Sequence, residues 1–141
     1  ADTIRRALDV EVGGRPVFGA VQSTWNLLEP SAGPALAEAA DAGLGVIVKE
    51  AVANGRLTSR NTDFARQVGT ISTDWPLDAV AMAACLSQPW SSVVLSGAAT
   101  DAQLESNVRA LMVPPDVVDA LPILAESPDD YWATRSGLAW G

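Results

Sequence analysis

The segment from Ser92 to Asn107 constrains the fold more than any other part of the chain. An apolar run ends there in a turn of the small residues Gly97, Ala98 and Ala99, and a helix begins directly after the turn. Such a turn lets a ligand approach the backbone, and the N–H groups and positive dipole end of the helix would face that ligand. The segment therefore predicts one parallel strand–turn–helix unit with a candidate anion site at its turn.

Apolar strands and helices alternate along the rest of the chain. The predicted elements are strands at 16–22, 45–48 and 92–95, and helices at 2–10, 33–42, 61–68, 74–88, 100–111, 116–124 and from 127 onward. Several helices carry a start signal, such as Pro34 in the first turn, Asn61 as a cap, or the capping-box pattern at Thr100. Alternation of this kind requires right-handed crossovers and a parallel sheet. We therefore predict one α/β domain, with βα units over 1–113 and a helical tail over 114–141.

The predicted sheet has only three strands, so two of them would lie at open edges. An edge strand presents a row of unpaired backbone donors and acceptors. Parallel strands as apolar as these are normally covered on both faces and flanked by other strands. We therefore expect the chain to form part of a larger sheet and not to be a free monomer. In the alternative, the C-terminal helices from Asp116 onward cover the edges of a small, self-sufficient α/β domain.

The composition argues against several classes of function. The net charge of −8, with no basic run, disfavours nucleic acid or an anionic membrane surface as partner. No apolar run approaches the roughly 20 residues of a membrane span, and the first residues lack a signal-peptide pattern. The single cysteine, Cys85, suits a reducing compartment, so we expect a cytoplasmic protein. The absence of histidine removes His-based triads, ordinary zinc catalysis and the commonest general base, and no metal site or catalytic residue is predicted.

Four stretches, taken in chain order, carry a resemblance to a known family. They are 21–29 (VQSTWNLLE), 42–51 with 54–58 (AGLGVIVKEA and NGRLT), 91–111, and 131–140 (YWATRSGLAW). Together they resemble strands, loops and the tail of the aldo/keto reductases, over nearly the whole chain. The resemblance implies an α/β fold that is the C-terminal part of a (β/α)8 TIM barrel, a fold that takes roughly 250 residues or more to close. It also implies NAD(P)-dependent reduction of a carbonyl to an alcohol.

By the resemblance, the chain begins in the helix after the fifth barrel strand and supplies the last three strands. The family's catalytic Asp, Tyr, Lys and His lie on earlier strands and have no counterparts here. The chain would then contribute part of the cofactor site but no complete catalytic site. The implied partners are the other half of the barrel and a small carbonyl substrate.

Two residues match the nicotinamide end of the family's cofactor site. Gln22 stands where the family's glutamine hydrogen-bonds the nicotinamide carboxamide. Lys49 stands where many relatives place a tyrosine whose ring stacks on the nicotinamide. An ammonium cannot stack in that way. Lys49 would instead contact Glu50 or the substrate, or it is simply a solvated lysine at the end of a strand without a role in binding.

Four residues match the phosphate and adenosine end. Gly97 and Ala98 match the phosphate-binding turn, and Gln103 and Asn107 lie one helical turn apart where the family holds the adenosine. Gln103 is also the far half of the capping box, so its two roles compete for one side chain. Relatives that prefer NADP often carry a basic residue here, whereas Gln103 is neutral and Asp101 is acidic. The resemblance therefore implies NADP or NAD without strong NADP selectivity.

The open edges support a second hypothesis from another class of protein. A repurposed half-barrel without redox activity would pair its edges with a second copy and act as a binding or interaction protein. Among the remaining residues, Cys85 is assigned to packing, and Tyr131 is assigned to the tail, away from the hydride-transfer centre. Trp25 would lie near the barrel mouth.

Overall fold

Seven helices and five strands make up the part of the chain that the structure, a computed structural model, describes: residues 1–69 and 74–138. The helices are α1 (Asp2–Leu8), α2 (Gly33–Asp41), α3 (Thr62–Gly69), α4 (Leu77–Leu86), α5 (Asp101–Val108), α6 (Pro115–Asp119) and α7 (Pro128–Gly137). The strands are β1 (Glu11–Val12), β2 (Arg15–Pro16), β3 (Ala20–Thr24), β4 (Gly45–Lys49) and β5 (Val93–Val94). Short 3₁₀ turns cover Ala53–Gly55 and Arg109–Met112. Ala139 and Trp140, from the fourth resembling stretch, lie outside the described residues.

The three strands β3, β4 and β5 form a parallel sheet in the order of the chain. Their register pairs Gln22 with Ile47 and Ile47 with Val93. Helix α2 connects β3 to β4, and α3 and α4 connect β4 to β5, as crossovers between adjacent parallel strands require. Within the described part of the chain, neither β3 nor β5 pairs with a further strand on its outer edge.

The first parallel strand begins later than the sequence predicts. Residues 11–16 form a small antiparallel hairpin, β1 with β2, around Gly13 and Gly14. Both glycines have positive φ, 61° and 73°, which tight hairpin turns favour. The predicted strand over 16–22 is therefore wrong at both ends: Pro16 belongs to the hairpin, and β3 continues to Thr24, so Gln22 is its middle residue and not its last. An apolar run alone does not show where a hairpin ends and a core strand begins.

The other predicted elements are present with shifted ends. Helix α1 stops at Leu8, and β5 comprises two residues instead of the predicted 92–95. Helix α6 ends at Asp119, whereas the sequence predicts a helix to Leu124. Leu121 and Leu124 do pack against the core, but from a non-helical segment, so their spacing suggested a helix that is not there.

Side chains along the parallel strands alternate between two faces of the sheet. Val46 and Val48 point toward the helices and are fully buried against Leu36 and Ala39 of α2. Helix α4 is buried over residues 79–85, where its small side chains let it lie close to its neighbours. This packing fixes the strands from one side and so fixes the position of their carboxyl ends.

The opposite face of the sheet is open to solvent in part: Thr24, at the end of β3, is only 4% exposed on it. Gln22 and Val93 are exposed on it. An apolar stripe along α5 and the turn after it is also exposed, by 48% at Leu104, 53% at Val108 and 76% at Leu111. The stripe therefore does not pack on the core of this chain, and it marks a candidate interaction surface.

Candidate functional site

The carboxyl ends of β3, β4 and β5 lie at one edge of the sheet because the strands are parallel. Parallel α/β folds bind ligands at this edge, in the loops that follow the strands. Here those loops are 25–32, 50–61 and 95–100. Of the residues predicted to contact a cofactor, Lys49 ends β4, Gly97 and Ala98 lie in the loop after β5, and Gln103 and Asn107 follow in α5. Gln22 is the middle residue of β3, two residues before the strand ends at Thr24.

Gln22, Thr24 and Lys49 form a row on the open face of the sheet. Thr24 is paired with Lys49 in the parallel register, and Gln22 precedes Thr24 by two residues, so all three side chains lie on one face. Gln22 is exposed and Lys49 is half-buried, whereas Thr24 is only 4% exposed. The Thr24 Oγ1 atom is buried without a hydrogen-bond partner among the described residues. No sequence signal marks Thr24, because a threonine at a strand end is common.

The turn from Ser96 to Thr100 leaves its backbone accessible. Gly97 has a φ of +62°, and only open space surrounds the position that a Cβ atom would take there. A cleft of about 350 Å³ runs along the turn and is lined by Ser96, the turn residues, Asp101 and Leu104. Thr100 caps α5 as predicted, since its side chain accepts a hydrogen bond from the Gln103 N–H at 3.2 Å.

Gln103 and Asn107 both hold this turn in shape. The Oε1 atom of Gln103 accepts a hydrogen bond from the Ala99 N–H at 2.8 Å. The Nδ2 atom of the buried Asn107 donates to the carbonyl oxygen of Ser96 at 3.1 Å and to its Oγ at 2.9 Å. The same Oγ accepts from the Ala98 N–H at 3.3 Å. The contacts of Gln103 and Asn107 with a cofactor remain predictions. To bind a ligand through Oε1, Gln103 would have to give up its hydrogen bond from the Ala99 N–H.

A polar network joins the loops after β3 and β4 to the tail helix α7. Asn26 is fully buried, and its Nδ2 donates to the carbonyl oxygen of Glu50 at 2.9 Å and to the Oη of Tyr131 at 3.0 Å. The Tyr131 hydroxyl donates to Oε2 of Glu50 at 3.4 Å. Arg135 binds the same carboxylate through Nη2 at 3.1 Å and Nε at 3.2 Å. The tail therefore belongs to the edge of the sheet where the candidate site lies.

The loop after β4 has an unusual backbone. Glu50, Ala53 and Asn54 all have positive φ, at 58°, 47° and 56°. Such a conformation costs a residue with a side chain about 1–2 kcal/mol and persists only where the surroundings hold it. The polar network around Glu50 does so, and Arg56, which pairs with Glu126, lies over the Tyr131 ring at 5.7 Å. These contacts fix the path of the chain directly after Lys49.

The surroundings favour the protonated forms of Tyr131 and Arg135. Burial raises the pKa of the Tyr131 phenol above its usual value, although the hydrogen bond from Asn26 opposes this. The hydrogen bond to Glu50 raises the pKa of the Arg135 guanidinium. At neutral pH, Tyr131 is therefore a neutral hydrogen-bond donor and Arg135 a full cation.

Elsewhere the structure supplies few reactive groups. Cys85 is buried and donates weakly to the carbonyl oxygen of Trp25 at 3.6 Å. Burial raises the pKa of its thiol to about 12, as expected of a thiol packed in the core.

Over residues 1–69 and 74–138, no three His, Cys, Asp or Glu side chains are placed to hold a metal ion. In the same two ranges, no helix has both the length and the apolar character that crossing a bilayer requires.

Comparison with known proteins gives a match in structure but not in sequence. No protein-family model and no curated protein matches the chain. The fold is similar to the apo form of aldo-keto reductase AKR11C1 from Bacillus halodurans, with a TM-score of 0.67 at 18% identity over 90% of this chain and 50% of that one. The holo form gives a TM-score of 0.66 at 17% identity over 90% and 49%. The chain thus spans about half the length of the solved structures it matches.

This likeness confirms the predicted fold. The chain is α/β and has the architecture of part of an aldo-keto reductase TIM barrel, with three parallel strands and their helices. It favours the partial barrel over the self-sufficient open sheet. At this level of identity the likeness concerns the fold alone.

Proposed function

We propose that the chain is the cofactor-binding part of an NAD(P)-dependent aldo/keto reductase, an enzyme that reduces a carbonyl to an alcohol. The observation that carries the proposal is the position of Lys49 and of the Ser96–Thr100 turn at the carboxyl ends of adjacent parallel strands, with Gln22 on the same face as Lys49, two residues before the end of β3. This is where parallel barrels bind their ligands. The likeness to the apo and holo forms of a solved aldo-keto reductase is the second support.

The donor set of the turn fits a diphosphate group. Gly97 leaves the backbone open, and the N–H groups of Asp101 and Ala102 lie in the first turn of α5, where no intrahelical acceptor exists. Oxygen atoms of Gln103 and Ser96 already accept from two further N–H groups of the turn, and phosphate oxygens can take the same place. The Asp101 carboxylate lines the cleft along the turn and disfavours the extra negative charge of a 2′-phosphate. The turn therefore fits the diphosphate of NAD or NADP and offers no cation for a 2′-phosphate.

Each predicted residue then has a role toward the dinucleotide. The Gln22 amide carries both a donor and an acceptor for the nicotinamide carboxamide. Gly97 and Ala98 allow close approach of the diphosphate, and Gln103 and Asn107 serve the adenosine end. When bound, the cofactor supplies the hydride, and the chain's own residues bind and orient it.

We assign the proton donor to a second half of the barrel, which is the proposed partner of this chain. The family's acid and base residues have no counterparts in the matched stretches of this sequence. In the described residues, the outer edges of β3 and β5 have no strand partner, and a complementary half-barrel would pair both of them. The substrate carbonyl would then lie between the two halves.

A repurposed half-barrel without redox activity is the second candidate. The exposed apolar side chains after α5, with Leu111 at 76% and Met112 at 70%, favour it. Apolar patches on a soluble protein often mark an interface, and two copies can cover such patches symmetrically. In this case the chain would act as a binding or interaction protein.

Native mass spectrometry without and with NADPH or NADH separates the two candidates. We expect one dinucleotide per chain, carried by the chain alone or by its complex with a second polypeptide. Ala98→Asp places a carboxylate in the turn and should abolish the adduct. Ala133→Asp makes the same charge change at an exposed position of α7 and should leave it intact. A homodimer that carries neither dinucleotide would contradict the reductase proposal and support the second candidate.

A further inference from the structure

Lys49 is the only lysine of the sequence, and it lies at the carboxyl end of the central strand β4. Its side chain is half-buried on the open face of the sheet, in register with Thr24. Among the described residues, its ammonium forms no ion pair. A half-buried cation without a counter-charge favours the arrival of an anion.

The carboxylate of Glu50, the residue that follows Lys49 in the chain, is bound by residues of α7. Both oxygens of Glu50 are bound by Arg135, at 3.1 Å and 3.2 Å, and Oε2 also accepts from Tyr131. The positive φ of Glu50 belongs to the conformation in which its side chain meets α7. Among the described residues, Lys49 therefore forms no ion pair with the acidic residue that follows it directly.

Thr24 supplies an independent observation at the same place. Its side chain is 4% exposed and its Oγ1 has no hydrogen-bond partner within the described residues. Buried hydroxyl groups almost always have a partner, so an unpaired one calls for an explanation. Its register with Lys49 puts the hydroxyl and the ammonium side by side on one face.

We propose that Thr24 and Lys49 together bind the carboxylate of the carbonyl substrate, which makes 2-oxo acids or aldehyde acids the substrate class. This inference rests on the proposed function, because Gln22, two residues before Thr24 on the same row, is the residue assigned to the nicotinamide. One hydroxyl and one ammonium match the two oxygens of a carboxylate. A phosphate group is better served by the backbone N–H groups of the Ser96–Thr100 turn.

The single lysine allows a direct test by NMR. In the chain labelled with ¹³C-lysine, Lys49 gives the only lysine signals, and pyruvate is the probe. We expect pyruvate to shift the Lys49 ε-methylene signal, and pyruvamide, its neutral analogue, to leave the signal unchanged at the same concentration. Equal shifts with both compounds, or no shift with pyruvate, would overturn the inference.

Matched variants show whether both side chains take part. Thr24→Val keeps the shape of the side chain and should weaken pyruvate binding by about tenfold, as the loss of a hydrogen bond to a charged group does. Thr24→Ser should retain it. Thr134→Val, the same change at an exposed position of α7, is the control. Lys49→Gln should abolish pyruvate binding measured by calorimetry, whereas Lys49→Arg, which keeps the positive charge, should retain it. Unaltered binding in Thr24→Val or Lys49→Gln would contradict the proposed pair.

Two further titrations separate this inference from the proposed function. NADPH should shift the backbone signals of the Ser96–Thr100 turn, whereas inorganic phosphate should leave the Lys49 signal in place. If NADPH binds and pyruvate does not move Lys49, the carboxylate site is wrong and the cofactor proposal stands. If pyruvate moves Lys49 and NADPH does not bind, the reductase proposal fails while the anion site stands. A shift of Lys49 by phosphate as large as that by pyruvate would overturn the assignment to a carboxylate.

Discussion

The Oη atom of Tyr131 lies 3.0 Å from Nδ2 of Asn26, although the two residues are 105 positions apart in the sequence. Tyr131 is almost fully buried, at 1% exposure, and it belongs to the tail helix α7. Asn26 organises the loop after β3, since its Oδ1 accepts the N–H groups of Leu28 and Glu29 at 2.9 Å and 3.0 Å. The tail therefore holds the loops of the candidate site in place.

Replacing Tyr131 by Phe removes this connection and changes the packing little. Asn26 loses one acceptor and the Glu50 carboxylate loses one donor, so we expect the free energy of unfolding to fall by about 1–2 kcal/mol. Urea unfolding followed by tryptophan fluorescence measures the change. Ser136→Ala, which removes an exposed hydroxyl of the same helix, should stay within about 0.5 kcal/mol of the parent. If the two variants are equally stable, the hydroxyl of Tyr131 does not tether the tail.

The ion pair between Glu50 and Arg135 should contribute far more than an exposed one. The side chains are only 15% and 13% exposed, so a substitution of either partner leaves a largely buried charge unpaired. We expect Arg135→Met to lower the free energy of unfolding by clearly more than the loss of an exposed pair does. The double variant Glu50→Gln/Arg135→Met should lose less than the sum of the two single variants.

The pair of Asp63 and Arg66 is the control, since its side chains are 72% and 75% exposed. Arg66→Met should change the free energy of unfolding by less than about 1 kcal/mol. Similar losses at Arg66 and Arg135 would show that burial does not strengthen the pair at Glu50.

The parts of the fold that depend on local signals could be predicted from the sequence. Asn61 caps α3 as expected, because its Oδ1 accepts the N–H groups of Asp63 and Phe64 at 3.0 Å and 3.2 Å. Thr100 caps α5 in the same way. A cap acts within one helical turn, so the residue types and their spacing are enough to identify it.

The network around Glu50 could not be predicted in this way. Its members come from segments 81 and 85 residues apart, and only the closed fold brings them together. The role of Thr24 could not be predicted for another reason. What distinguishes it is the burial of an unpaired oxygen, which depends on neighbours and not on residue type. The candidate cofactor residues were predictable only through the resemblance, and their contacts with a ligand remain predictions.

Gly97 and Gly137 should respond in opposite directions to the same substitution. Gly97 has a φ of +62° with open space around it, so Gly97→Ala introduces backbone strain without a clash and should cost about 1–2 kcal/mol. Gly137 lies in the last turn of α7, also with open space, and Gly137→Ala should stabilise the protein by about 0.5 kcal/mol. Thermal unfolding of both variants measures the difference. A neutral Gly97→Ala would show that the turn is free to leave its left-handed conformation.

Cys85 should make the protein less stable in alkali. Burial raises the pKa of its thiol from an ordinary value of 9.0 to about 12. Below pH 9 the folded and unfolded states both hold the proton, so the contribution of Cys85 is fully present. Between about pH 9 and 12 the unfolded state loses the proton first, and the free energy of unfolding should fall by about 1.4 kcal/mol for each pH unit.

Urea unfolding of the parent and of Cys85→Ala at pH 8, 9, 10 and 11 tests this slope, because pH 8 lies below and pH 10 and 11 lie within the range from about 9 to 12. The variant should be less stable than the parent at pH 8, because it leaves a small cavity and loses the contact to the Trp25 carbonyl. The difference should shrink as the pH rises, since only the parent carries the buried thiol. The raised pKa of Tyr131 gives both proteins a further decline above about pH 10, which cancels in the comparison. Parallel stability curves would mean that the Cys85 thiol ionises alike in the folded and unfolded states, and so that it is not sealed in the core.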